Sequence, residues 1–226
     1  MSVENENYYA QKLNSQKLFH VYDTKIPRVG QYLKKEIDFI RGNLRGSEKV
    51  LEIGAGYGRI LKELSPYAES FLGIDISEGS VEFGKEYLIG FTNVRLELMD
   101  AHKLDFAEEF DVVLCLQNGL SALRGETTPL VNRCVKALKK GGSAYFSTYS
   151  GKFWDYRLAW FEEQADKGLL GKIDKNQTRE GVIICQDGFR AATFTEKDFA
   201  ALGEASGYKY EIREADESSL FLIITK

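Results

Sequence analysis

Glu52 and the glycines at 54, 56 and 58 carry the clearest chemistry in this chain. The stretch Val50-Leu51-Glu52-Ile53-Gly54-Ala55-Gly56-Tyr57-Gly58-Arg59-Ile60 starts as an apolar run, crosses a tight turn and enters a helical pattern. Gly54 and Gly56 permit positive φ and leave no Cβ between the backbone and a ligand. The helix beyond aims free N–H groups and a positive dipole end at the turn, so the loop suits a polar or anionic part of a small molecule. Two acids follow, Asp75 at 21 positions after Gly54 and then Asp100, and two amides, Gln117 and Asn118. Alone, each is an ordinary turn or cap residue, and glycines also serve turn geometry. The informative feature is their order along the chain.

The elements that must position them alternate. Val50–Ile53, Ser70–Ile74, Val94–Met99, Phe110–Leu116 and Ser143–Thr148 read as strands. Between them Arg59–Leu64, Gly79–Leu88 (capped by Ser77) and Thr127–Leu138 read as helices. Phe110–Leu116 is nearly all apolar, as expected of a strand buried on both faces. The alternation predicts an α/β fold with a doubly wound, mostly parallel sheet and helices on both faces. In such sheets ligands bind outside the carboxyl ends of the strands. Glu52–Gly58, Asp75–Ile76, Asp100–Ala101 and Gln117–Asn118 all fall at those ends.

Before the sheet, residues 1–45 hold a weakly amphipathic stretch from Tyr8 to Phe19, a turn at 23–27, and helical spacing from Tyr32 to Leu44 that Gly46 ends. After Ser150 the alternation breaks into an aromatic insert, residues 151–194. It holds Trp154, Tyr156 and Trp160, and a hairpin signal at Asp187-Gly188. A helix over Glu196–Ala205, capped by Thr195, and strands Tyr208–Arg213 and Leu220–Ile224 complete the pattern.

The ordered set resembles the class I S-adenosylmethionine-dependent methyltransferases, whose first motif reads acidic-x-G-x-G-x-G, here Glu52 to Gly58. The motifs span roughly residues 46–150, and the closing hairpin matches in pattern. The resemblance implies seven strands with the last inserted antiparallel, and an N-terminal helical cover. It implies S-adenosylmethionine as cofactor and S-adenosylhomocysteine as product. Under it, Glu52, Gly54, Ala55, Gly56 and Gly58 form the cofactor loop and Asp75 accepts the two ribose hydroxyls. Ile76 packs on the adenine, Asp100 and Ala101 read its edge, and Gln117 and Asn118 meet the amino-acid end. Tyr22 closes over that end. A nicotinamide-dependent oxidoreductase shares a ribose-binding acid, but its G-x-G-x-x-G would need glycine where Arg59 stands. A cofactor-binding module without catalysis is the other alternative.

No residue declares itself a base. Tyr9, His20 and Tyr22 are the candidates, with His102 better read as a solvated cap. No Asn-Pro-Pro-Tyr motif follows strand four, and no metal set stands out. Trp154, Tyr156 and Trp160 can cage a cationic acceptor, pack as a satellite core or form a dimer contact.

With 226 residues, 43% of them hydrophobic, one domain can bury an adequate core. A net charge of −4 disfavours an extended duplex-binding surface, so a small-molecule acceptor is expected and nucleic acid is not. No signal-like or membrane-spanning run occurs, and the odd cysteine count suits a reducing compartment. The expectation is one cytoplasmic domain, monomer or homodimer, whose residues 1–28 open and close over the site.

Overall fold

A computed structural model describes Tyr8 and residues 12–226. Helices α1 (Ser15–Val21) and α2 (Pro27–Arg41) precede the sheet, and Pro27 opens α2 where its missing N–H costs nothing. The sheet region runs β1 (Lys49–Ile53), α3 (Arg59–Leu64), β2 (Ser70–Asp75), α4 (Glu78–Tyr87), β3 (Val94–Leu98) and β4 (Phe110–Cys115). It continues with α5 (Gly119–Leu123), α6 (Thr127–Ala137) and β5 (Leu138–Tyr149). The insert holds α7 (Trp154–Asp166) and a hairpin of β6 (Val182–Ile184) and β7 (Arg190–Ala192). Helix α8 (Glu196–Ser206), β8 (Lys209–Ala215) and β9 (Ser219–Thr225) follow.

The seven strands lie in the order β3-β2-β1-β4-β5-β9-β8. All pairings among β1 to β5 are parallel, and β9 is antiparallel to both neighbours. The order reverses beside β1, so β1 and β4 flank the switch point where a ligand crevice forms.

Strand period two divides the core between the faces. Leu51, Ile53, Val113, Cys115 and Phe146 pack with α6 and α8. Val50, Leu114, Leu116 and Tyr145 pack with α2, α3 and α4. Glu52, in phase with Val50, therefore points to the α2–α3 side. A third cluster joins the N-terminal segment to the insert through Leu13, Leu18, Val21, Tyr32, Trp160, Phe161 and Phe189. It roofs the carboxyl ends of the strands. All three cysteines are buried and unbridged.

Several boundaries differ from the sequence reading. Helix α2 runs from Pro27, five residues before Tyr32, and stops at Arg41, with Gly42 as its cap rather than Gly46. Strand β5 begins at Leu138, five residues before the expected Ser143, and takes in Lys139–Gly142 with Gly141 at φ 80°. Helices α5 and α7 were not foreseen. Both sit among residues whose aromatic and glycine content masks helical periodicity. Thr195 forms a full capping box with Asp198, and Ser77 caps α4 as expected.

Candidate active site

The glycine loop is held by a carboxylate. Gly54, Gly56 and Gly58 adopt φ of 68°, 56° and 83°, the left-handed region that glycine enters without a Cβ clash. The Gly56 N–H donates to Asp75 Oδ2 and the Ser77 N–H to Asp75 Oδ1, both at 2.8 Å. Asp75 thus ties the loop to the entry of α4, with a lone pair on each oxygen left for the cleft. Burial raises its carboxyl above the usual range, and these backbone N–H groups oppose that. The glycines divide their work. A Cβ on Gly58 would lie 2.8 Å from Leu88, so this residue serves helix–strand packing. A Cβ on Gly56 would lie 2.8 Å from Leu18, so α1 rests directly on the loop.

The cleft above the loop is lined by Glu52, Gly54, Ala55, Gly56, Asp75, Ile76 and Gln117, with Tyr22 from the N-terminal segment. A side lobe shares Gly54, Asp75 and Ile76 and is bounded by Asp100, Ala101 and His102. Ten residues singled out in the sequence thus meet at one place. Tyr149, Trp160, Phe161 and Gln164 close the main lobe on the insert side.

Other expectations need correction. Gly58 does not line the cleft, because it is committed to Leu88. Asn118 is turned away: its amide donates to the Ala192 carbonyl at 2.9 Å and accepts from the Thr148 hydroxyl at 2.7 Å. It anchors the β6–β7 hairpin to the sheet. His20 is exposed on α1 and packs edge-on to Phe19, outside the cleft. Tyr9 lies outside the described residues. His102 is no solvated cap. Its Nε2–H donates to the Arg124 and Leu123 carbonyls, which fixes the tautomer and braces the end of α5. The aromatic cage is not assembled either. Tyr156 is exposed, stacked on Phe153, and Trp154 lines a different hollow.

Two charged residues escaped the sequence reading. Arg59, first residue of α3, lines the cleft with its guanidinium 4.4 Å from the centre of the Tyr22 ring. Glu36 on α2 is 1% exposed and accepts from the Ser147 hydroxyl and the Gln117 N–H. Its signal was available, since 32, 36 and 40 share a helix face. Buried polar atoms gather here without a hydrogen-bond partner: Glu36 Oε2, Glu52 Oε2, Arg59 Nε and Nη2, and Gln117 Nε2. Each such atom costs about 1–3 kcal/mol, so the set is built for a polar ligand. Gln117 also holds φ 53°, a strained value for a non-glycine residue and of a kind that clusters at functional sites. Burial pushes the Glu52 carboxyl up to about 8 and that of Glu36 up to about 7, with Arg59 drawing both back.

The cover is fastened to the insert. The Trp160 indole N–H donates to the Val21 carbonyl at 3.1 Å. Glu163 accepts from the Thr24 hydroxyl and the Lys25 N–H at 2.6 and 2.8 Å. Tyr8 donates to Asp187 in the hairpin turn.

This strand order, the antiparallel β9 and the acid-anchored glycine loop are those of the class I S-adenosylmethionine-dependent methyltransferase fold. Residues 50–142, 93 of the 226, match the family model described as a methyltransferase domain. Curated relatives include the ubiquinone biosynthesis O-methyltransferases of Azoarcus sp. (strain BH72) and Thiobacillus denitrificans (strain ATCC 25259 / T1). The first is 28% identical over 127 residues, 54% of each chain. The second is 30% identical over 115 residues, 50% of this chain and 49% of the relative. The chain spans about half the length of the curated relatives it matches. Among solved structures, an S-adenosylmethionine-dependent methyltransferase from Clostridium acetobutylicum ATCC 824 superposes with TM-score 0.65 at 17% identity. That alignment covers 93% of this chain and 98% of that one. The 1,6-didemethyltoxoflavin-N1-methyltransferase of Burkholderia thailandensis gives 0.63 at 16% identity, covering 96% and 89%. At these identities the structural likeness concerns the fold.

Proposed function

We propose that this chain moves the methyl group of S-adenosylmethionine to a small-molecule acceptor by in-line displacement, releasing S-adenosylhomocysteine. The observation that carries the reading is the two-lobed cleft on an Asp75-held glycine loop, with unpartnered polar atoms of both signs at its floor.

The residues fit the cofactor. Asp75 has free lone pairs for two ribose hydroxyls. The side lobe offers Asp100 and the Ala101 backbone to an adenine edge, with exposed Ile76 to cover a ring face. Glu52, Arg59 and Gln117 suit a zwitterionic amino-acid end. Bound there, S-adenosylmethionine supplies a sulfonium methyl group that is already activated.

The protein's part is alignment and exclusion of water, and orientation alone contributes up to about 7–11 kcal/mol. Helix α1 and the insert supply the cover. Tyr22, Tyr149, Trp160 and Phe161 wall the main lobe and favour a planar acceptor. Burial raises the Tyr22 hydroxyl above its ordinary range, so near neutral pH it donates a hydrogen bond rather than removing a proton. The relatives named for O-methylation make hydroxylated rings the first acceptors to test.

Calorimetry with S-adenosylmethionine, S-adenosylhomocysteine and NAD is the deciding experiment. The expected result is binding of the first two alone, followed by methyl transfer to members of a panel of hydroxylated and nitrogen-containing rings. Binding of NAD alone would replace the proposal with an oxidoreductase. Binding of the first two with no turnover on any acceptor would favour a non-catalytic module.

A further inference from the structure

Glu36 belongs to no cofactor motif. It sits on α2, ahead of the sheet, yet its carboxylate reaches the carboxyl ends of β4 and β5. Oε1 is held by Ser147 and by the backbone of Gln117, a residue of the cleft wall. Oε2 is buried without a partner, as is Oε2 of Glu52, which is 3% exposed. Glu36 therefore stands behind the wall that Glu52 and Gln117 form. Among the described residues, no ion pair within 4 Å joins Arg59 to either acid, although Arg59 lines the same cleft.

The charges facing this floor can be taken element by element. Tyr22 caps helix α1, α2 offers Tyr32 and Glu36, and β1 offers Glu52. Helix α3 brings Arg59, β2 Asp75, β5 Tyr149, and α7 the neutral Trp160, with Arg157 stacked over the Tyr149 ring. Glu36 and Glu52 thus face one guanidinium, and Asp75 adds to the negative side. With both ionised, the floor lacks a positive charge. Burial pushes Glu36 up to about 7 and Glu52 up to about 8, and the negative charges of Asp75 and Glu36 raise Glu52 while Arg59 lowers it. Near neutral pH the pair therefore retains a proton.

Resting on the cofactor reading above, we propose that Glu36 is the rear half of a carboxylate pair, with Glu52 in front, that binds the ammonium of the cofactor's amino-acid end and surrenders a proton as it does so. Arg59 takes the α-carboxylate of the same group. The balance is simple: the ammonium enters already protonated, the proton held by the carboxylate pair leaves to buffer, and no covalent bond changes. Cofactor affinity then tightens as pH rises through the neutral range. Ligands lacking the amino-acid end gain nothing from the pair.

The test is calorimetry at pH 7 in buffers of different ionisation enthalpy, with S-adenosylhomocysteine and with 5′-methylthioadenosine, which lacks the amino-acid end. In the wild type, S-adenosylhomocysteine is expected to release a fraction of a proton up to about one, and 5′-methylthioadenosine none. Glu36→Gln keeps an oxygen for Ser147 and Gln117, so the fold should hold. It should weaken S-adenosylhomocysteine about tenfold, reduce the proton release to what Glu52 alone supplies, and leave 5′-methylthioadenosine within about twofold. Equal proton release by both ligands in the wild type would overturn the proposal without any variant. Equal weakening of both ligands in Glu36→Gln would make Glu36 a structural residue. If neither adenosine compound binds the wild type, the cofactor reading itself falls.

Discussion

Replacing Asp75 probes the cofactor cleft most directly, because that carboxylate has a structural and a ligand-binding task. It accepts two backbone N–H groups at 2.8 Å, from Gly56 and Ser77. Hydrogen bonds to a charged acceptor contribute about 1.5–3 kcal/mol each. Burial also disfavours the ionised carboxyl, so removing it relieves a desolvation cost that offsets part of the structural loss. The unliganded Asp75→Ala protein should therefore stay folded, destabilised by roughly 1–2 kcal/mol. Two ribose hydroxyls then lose a charged acceptor. Affinity for S-adenosylhomocysteine should fall by about 2–4 kcal/mol, roughly 30- to 900-fold. Asp75→Asn sharpens the test. Its amide nitrogen must face one of the two N–H donors, so it should bind almost as poorly as alanine while keeping the shape. Titration calorimetry, paired with a thermal melt of the free protein, separates the two tasks. Affinity within about twofold of wild type, in a variant that melts normally, would refute the ribose assignment.

Gly56→Val places a branched Cβ at φ 56° and against Leu18, so S-adenosylhomocysteine binding should vanish and exchange protection of residues 15–21 should fall while the sheet amides keep theirs; retained affinity would sink the loop's role. The free protein should lose stability as pH rises from about 4.5 through 7 to 8, because Glu36 and Glu52 bind protons more tightly folded than unfolded. A Glu36→Gln, Glu52→Gln double variant should flatten the melting-temperature profile between about pH 5.5 and 8.5. Identical profiles would refute the buried-acid account. Asn118→Ala should cost about 1–3 kcal/mol of stability, by releasing the hairpin from Thr148 and Ala192, with cofactor affinity nearly unchanged; a selective loss of affinity would return Asn118 to the binding site.

Much of the fold could be read because its signals are local. The run from Val50 to Ile60 announces strand, loop and helix in one stretch, and Arg59–Leu64 matches the structure to the residue. Strand ends were equally legible, so Asp75, Ile76, Asp100 and Ala101 could be read as bordering one hollow at the carboxyl end of the sheet. Asn118 was misread because a strand-end amide looks the same whether it faces a ligand or a hairpin 74 residues away. Glu36 and Arg59 were missed for the complementary reason. Glu36 stands on a readable helix face, but what it and Arg59 border is set by the packing of α2, α3 and β1, which no spacing encodes. His20 failed on orientation, since a residue near a site in sequence can face solvent on the outer side of a short helix.

The place of β9 also governs how the molecule is made. β9 follows β8 in the chain, yet it lies between β5 and β8 and is the partner through which β8 joins the sheet. During synthesis β8 therefore leaves the ribosome with nowhere to dock, while β5 presents a bare edge from Ser143 to Tyr149. That edge carries Ala144 and Phe146 on one face and Tyr145 and Tyr149 on the other, apt to pair with other nascent chains. The interval ends only when Ser219–Thr225 emerges and both neighbours close on it at once. The final docking is all or nothing, because β8 has no strand partner until β9 is in place.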